Sequence, residues 1–258
     1  MGIPKTLALI VLVLLLPTAA WPALPLITDD TVTLGTGKFL FEAAGEYDRD
    51  KENAGGTSVK ETDYTLSSQL TYGLTDHVDV MIALPYQWVI IKTDDVTTTD
   101  ANGISDTLFE VKWRFFEKEG SSLAVKPVVT IPTGNDKQGL GSGKIDYKIF
   151  FIASEEYEPW AVHLNLGYIR NENDINERKD IWHASVAAVF NVTKRLAICA
   201  DTGIETNIDK QSEVAPAYLL GGAIYTVLEN LDVSFGVKVG LNKPATDFAL
   251  LPGLTYRF

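Results

Sequence analysis

Phe248-Ala249-Leu250-Leu251-Pro252-Gly253-Leu254-Thr255-Tyr256-Arg257-Phe258 closes the sequence with a period of two. Phe248, Leu250, Pro252, Leu254, Tyr256 and Phe258 fall on one face, and Ala249, Leu251, Gly253, Thr255 and Arg257 on the other. Successive side chains of a strand point to opposite sides, so this alternation reads as a strand with one mostly apolar stripe. The stripe ends on an aromatic residue.

Moving back along the chain, the same period recurs. In 104–116, Thr107, Phe109, Val111, Trp113 and Phe115 oppose Asp106, Glu110, Lys112 and Arg114, with Leu108 alone out of character. In 231–240, Leu231, Val233, Phe235, Val237 and Val239 oppose Asp232, Ser234, Gly236, Lys238 and Gly240. Such runs fall near 38–49, 58–73, 78–91, 104–116, 121–131, 143–154, 160–170, 179–191, 195–206, 214–226, 230–240 and 246–258. Short links such as Thr75-Asp76-His77, Glu117–Gly120 and Thr193-Lys194 alternate with longer polar ones at 50–57, 92–103, 132–142 and 171–178. Tyr72–Val80, Phe190–Ile198 and Tyr225–Val233 resemble one another as strand end, tight turn and strand start, which is hairpin repetition.

Alternation does not say which face is inside. A soluble sandwich buries the apolar face, whereas a membrane barrel exposes it to lipid. Three features decide for the barrel. About twelve long strands in one up-and-down rhythm exceed what a sandwich needs. The apolar face carries aromatics at both strand ends: Phe39, Tyr72, Phe115, Trp160, Phe190 and Tyr256 at the turn end, and Tyr47, Tyr64, Trp88, Tyr168 and Trp182 at the loop end. Paired girdles suit the two lipid–water interfaces. The other face mixes small residues with charges of both signs, as a wet lumen tolerates. The expected fold is therefore all-β: a transmembrane antiparallel up-and-down β-barrel of about twelve strands over 38–258, with both termini periplasmic. Leu254, Tyr256 and Phe258 are its candidate assembly signal, read by the barrel-assembly machinery.

Residues 1–20 read as a signal peptide. Lys5 precedes the apolar run Leu7–Leu16, and Pro17-Thr18-Ala19-Ala20 offers small residues for cleavage. The run is shorter than the roughly 20 residues of a membrane helix. Residues 21–37 are expected to form a periplasmic lead-in or a partial plug. Export to a bacterial outer membrane makes its lipid and lipopolysaccharide partners. The 34 acidic against 22 basic residues exclude a nucleic-acid partner, whose phosphates need a basic surface. The single cysteine, Cys199, excludes an internal disulfide framework and reads as a small inward filler.

The candidate lumen-lining residues are Glu110, Lys112, Arg114, Lys126, Lys144, Asp146, Lys148, Asp201, Glu205 and Lys238, within an inward set that also holds Glu42, Glu46, Asp79, Asp106 and Asp232. Such side chains either line a water-filled conduit or pair across neighbouring strands to fill the lumen; both readings stand at this point. Glu110, Lys112 and Arg114 lead the set because they follow one another on one face. The glycine-rich stretch 132–143 lacks the Gly-Lys-Ser/Thr ending of a phosphate loop, so it reads as a surface loop at the pore mouth. The acidic segments 48–52, 93–100 and 171–180 read as solvated loops, and no metal or cofactor is assigned. His183-Ala184-Ser185 puts a His and a Ser on one face, but a nucleophilic serine needs a third group to orient its base, and the sequence identifies none. No catalytic role is assigned.

Several pieces resemble the bacterial outer-membrane family named for the MetA pathway of phenol degradation. They are Pro25–Asp30 with Thr33–Gly37, then Ser105-Asp106-Thr107 with Lys112–Phe115. Next come Ile131–Asn135, Gly139–Gly143 and Asp146-Tyr147, followed by His163–Tyr168. The resemblance implies a transporter-like barrel passing a small-molecule solute, aromatic or otherwise hydrophobic. The rival reading is a structural or adhesive barrel that conducts nothing.

Overall fold

The computed structural model describes residues 24–54, 57–174 and 176–258. The signal-peptide reading of 1–20 lies outside them. The strands are β1 (Phe39–Ala54), β2 (Thr57–Thr75), β3 (Val78–Thr93), β4 (Val96–Ile104), β5 (Thr107–Lys118), β6 (Ser121–Ile131) and β7 (Asp146–Tyr157). After them come β8 (Trp160–Arg170), β9 (Asp180–Asn191), β10 (Leu196–Glu205), β11 (Ala217–Leu228), β12 (Leu231–Gly240) and β13 (Phe248–Arg257). Twelve of them form a closed antiparallel ring, because β2 pairs with β3 and β1 pairs with β13; β4 lies off the ring, paired with β3. Closure satisfies the strand amides without water, as a bilayer requires.

The inside and outside of this ring are inverted relative to a soluble protein. On β5, Phe109, Trp113 and Phe115 are 45–51% exposed, whereas Glu110 and Lys112 are 8% and 7% exposed. The outward aromatics meet in cross-strand pairs at both ends. Phe39–Tyr72 and Trp160–Phe190 lie at the turn end, with ring centroids 4.8 and 4.6 Å apart. Tyr47–Tyr64 and Tyr168–Trp182 lie at the loop end, at 5.1 and 5.0 Å. These are two girdles at the heights of the two interfaces.

Two stretches expected as loops are largely strand. Residues 50–57 continue the β1–β2 hairpin to Ala54 and Thr57, and 92–103 contain β4, turned at Asp94-Asp95, both with positive φ. A two-residue turn with two left-handed residues matches strand twist. The reason the sequence hides these extensions is physical. β1 stops pairing with β13 at Arg49, so the hairpins beyond it stand above the rim and no apolar face is imposed on them. Threonine-rich polar strands still pair, but they lose the alternation that marks a strand.

Candidate functional site

The segment Leu24–Gly37 enters the barrel and runs around the inside of its wall. Its start is apolar. Pro25 sits in a cradle of glycines on β11 and β12: a Cβ at Gly222 would come within 2.8 Å of its ring, and one at Gly236 within 3.0 Å. Leu26 packs with Ala187, Val189, Ala197, Cys199, Leu220 and Ile224. The next residues are held by side chains standing in for a strand partner. Asp201 of β10 accepts the Ile27 and Thr28 amides at 2.7 and 2.8 Å and the Thr28 hydroxyl at 2.7 Å, and Tyr218 donates to it at 3.0 Å. Asn165 of β8 accepts the Asp29 amide and returns a bond to the Asp29 carbonyl, both 2.8 Å.

The middle is ionic. The Asp29 carboxylate meets Lys112 of β5 at 2.8 Å and Lys126 of β6 at 2.7 Å. Lys112 also reaches Asp30 at 3.5 Å, and Lys126 reaches Glu110 at 3.2 Å. Burial pushes the Asp29 carboxyl up, but the two ammonium groups outweigh it and hold the group well below the usual carboxylate range. Thr31 then donates its amide to Ser154 at 3.2 Å, and Ser154 bonds His163 at 2.8 Å. The segment leaves along β3: Leu34 donates to Asp79 at 3.0 Å, and Thr36 donates its amide and hydroxyl to Asp76 at 3.0 and 2.8 Å. At Gly73 a Cβ would lie 2.0 Å from the Gly35 carbonyl, so only glycine allows this crossing.

This belt touches wall strands from β13 round to β3, crosses the periplasmic end of β2 at Gly73, and leaves the inner faces of β1 and the rest of β2 clear. Between the belt and β1–β3 lies a cavity of about 550 Å³, with Leu24, Ile27 and Leu34 on the belt side and Glu42, Gln69 and Thr71 on the wall side.

A latch ties the 132–143 loop to the start of β5 at the loop end. Asp106 accepts the Gly134 amide at 2.9 Å, the Ser142 amide at 2.7 Å and the Ser142 hydroxyl at 3.1 Å. The Thr133 hydroxyl accepts the Thr107 amide at 2.9 Å and donates to the Ser105 carbonyl at 2.9 Å. A Cβ at Gly141 would lie 2.2 Å from the Asp106 carboxylate, so the glycine is required by close approach. Leu140, 1% exposed, is the loop's apolar foot, and a Cβ at Gly103 of β4 would come within 3.1 Å of it.

A family described as "Putative MetA-pathway of phenol degradation" matches residues 47–258. The chain belongs to this family. Its fold is shared by a COG4313 outer membrane channel from Pseudomonas putida F1, at TM-score 0.69 and 16% identity, covering 89% of this chain and 98% of that one. It is also like the NanC porin, at TM-score 0.58, 6% identity, and 84% and 100% coverage. The translocator domain of the autotransporter NalP from Neisseria meningitidis gives TM-score 0.55, 11% identity, and 87% and 89% coverage. No curated protein matches the sequence. The protein is an outer-membrane β-barrel of the phenol-degradation family.

Within this family member, the sequence pieces that carry the resemblance meet in space. Pro25–Asp30 form the belt's start, while Lys112 and Asn165 grip it. Ser105-Asp106-Thr107 and 133–142 form the latch. The other candidate residues sort by position. Glu110, Lys112, Lys126 and Asp201 hold the belt. Arg114 bonds the Asp76 carbonyl at 3.2 Å and pairs with Glu117 at 3.2 Å near the periplasmic rim. Asp146 accepts the Glu172 amide at 2.8 Å, tying down the 171–179 loop. Lys238 pairs with Glu46 and, at 3.5 Å, with Asp48. Lys148 lies half-buried on the inner face of β7.

Lys144 is a correction. It precedes β7, is exposed, and pairs with Asp174 at 2.7 Å, because pairing to β6 begins only at Asp146. The sequence reading quoted Pro25–Asp30 and Thr33–Gly37 for the resemblance but named no belt residue as a site candidate. Asp29, Asp30, Thr28 and Thr31 carry no period, and their partners on the barrel wall lie 82 to 173 positions away. His183 also gains a partner that the sequence did not identify: Glu205 lies 3.1 Å from Nδ1, while Nε2 meets Ser185 at 3.0 Å. The serine is 4% exposed and does not line the cavity beside the belt.

Proposed function

We propose that this barrel passes small solutes passively across the outer membrane, with aromatic and otherwise hydrophobic compounds as its class. The observation that carries the reading is the cavity beside the belt, whose lining mixes apolar side chains (Leu24, Ile27, Leu34, Leu40, Met81) with polar ones (Glu42, Gln69, Thr71). A wall of Leu24, Ile27 and Leu34 suits an aromatic ring, and Gln69 and Thr71 can exchange hydrogen bonds with a hydroxyl. Membership of a family named for phenol degradation, and a fold shared with a channel and a porin, support the same reading. Selectivity would come from width, loop closure and fixed charge, with no catalytic step. Residues 1–20 serve export in this proposal. Leu254, Tyr256 and Phe258, on the outer face of β13 and just beyond it, serve recognition by the assembly machinery, and lipopolysaccharide surrounds the outer girdle.

Single-channel recording of the refolded barrel in a planar bilayer, with and without small phenols, tests this. Steady steps that phenol reduces are expected. A silent bilayer containing verifiably folded barrel would instead favour a structural barrel with a filled lumen.

A further inference from the structure

Of the lysines on the lumen wall, two border the cavity, Lys112 and Lys126, which on their own would draw anions inward. The belt cancels them. Asp29 lies 2.8 and 2.7 Å from the two ammonium groups, with Asp30 and Glu110 behind at 3.5 and 3.2 Å. What then faces the cavity is acidic. Glu42 on β1 receives one hydrogen bond, from Gln69 Nε2 at 3.1 Å, and has no ion pair within 4.0 Å among the described residues. Asp79 on β3 receives the Leu34 amide and likewise lacks an ion pair among them. At the periplasmic rim, Arg257 is already taken by Asp232, and Lys38 is exposed to solvent.

We infer that the belt makes the passage cation-preferring and that Glu42 is the specificity-determining residue, so that neutral and cationic aromatic solutes pass ahead of aromatic carboxylates. This rests on the passage proposed above and specifies its substrate class. Fixed charge in a narrow conduit with low-dielectric walls is focused and escapes much of the screening that a surface charge meets, and carboxylates facing a pore select cations. A phenolic hydroxyl, which ionises near pH 10 as tyrosine does, enters uncharged at neutral pH, whereas a benzoate enters as an anion. One unit charge about 6 Å from a passing ion, through water, is worth roughly a threefold change in permeability.

The test is the reversal potential of the refolded full barrel at pH 8.5 across a potassium chloride gradient, then with benzylammonium replacing potassium and benzoate replacing chloride. The wild type should pass potassium ahead of chloride and benzylammonium ahead of benzoate. Glu42→Gln, which can keep its contact with Gln69, should lower the cation-to-anion ratio by about threefold, while Glu42→Asp should retain it. Asp29→Asn should also lower the ratio, because it uncovers the lysines. Heat-modifiable gel mobility checks that each variant is folded. An anion-preferring wild type overturns the inference without touching passage. So does a Glu42→Gln barrel that still conducts with an unchanged ratio. A folded but silent wild type overturns passage itself, and its selectivity with it.

Discussion

The two halves of this lumen are built from the same kinds of residue and do opposite things. From β5 round to β13 the inner wall is clad: Asp201, Asn165, Ser154, Lys112 and Lys126 all spend their polar groups on the belt. Along β1 and β2 the wall is bare, and Glu42, Gln69 and Thr71 look across a cavity. A barrel of this size has a moderately wide interior that must be filled or left wet. Here one chain segment divides that space, so stability is concentrated on one side and access on the other.

The most severe test of this division removes an ionic partner from the clad side. Lys112→Ala leaves Asp29 and Asp30 buried with one counter-charge fewer, and breaking a buried pair in this way costs about 3–5 kcal/mol. Glu42→Ala, on the bare wall, should change stability by no more than about 0.5 kcal/mol. Urea unfolding of the refolded barrel reads both. Equal losses would mean that the two sides are not different in kind.

Acid should remove the clad side's ionic contribution. Asp29 is held below its unfolded value, so its contribution is fully present above the unfolded pKa near 3.9 and is lost as pH falls toward the lowered folded value. Stability should therefore drop below about pH 4, and Asp29→Asn should flatten that acid limb while lowering stability at neutral pH. An unchanged limb would show that the belt carboxylate is not the group being titrated.

The apolar end of the belt is a weaker anchor than its ionic middle. Gly236→Ala places a methyl group against the Pro25 ring, and overpacking of this kind costs about 1–3 kcal/mol. Pro25→Gly should recover much of that loss. A double-mutant cycle with no coupling would place Pro25 outside the cradle.

How much of this was legible in the sequence follows from where periodicity is imposed. Trp113 and Lys112 alternate because lipid lies on one side of β5 and the lumen on the other, and that contrast wrote the strands, girdles and inward charges into the chain. Above the rim, Thr97-Thr98-Thr99 meet water on both faces, so β4 left no such mark. The belt left none either, since its bonds run from its backbone to side chains scattered over many strands. Its dense Thr and Asp residues hinted at polar contacts without naming a partner. Lys144 shows the reverse error: the period began two residues before the point where β7 takes up its pairing with β6.

The smallest expected effect comes from the one place where the clad side could claim chemistry. Glu205, His183 and Ser185 are linked through 3.1 and 3.0 Å contacts, the order that an acid, a base and a nucleophilic serine would need. Yet Ser185 is buried, and Gly203 offers no room beside it, since a Cβ there would come within 2.7 Å of the Tyr218 ring and 2.9 Å of Ser185. A hydrogen-bonded chain that stiffens the wall accounts for the same geometry. Ser185→Ala should then cost about 1 kcal/mol and leave phospholipid and nitrophenyl-ester turnover at the background level of the wild type. Ester hydrolysis by the wild type that vanishes in Ser185→Ala would reverse the comparison, because the clad side would then be the working one and the bare wall only its route of supply.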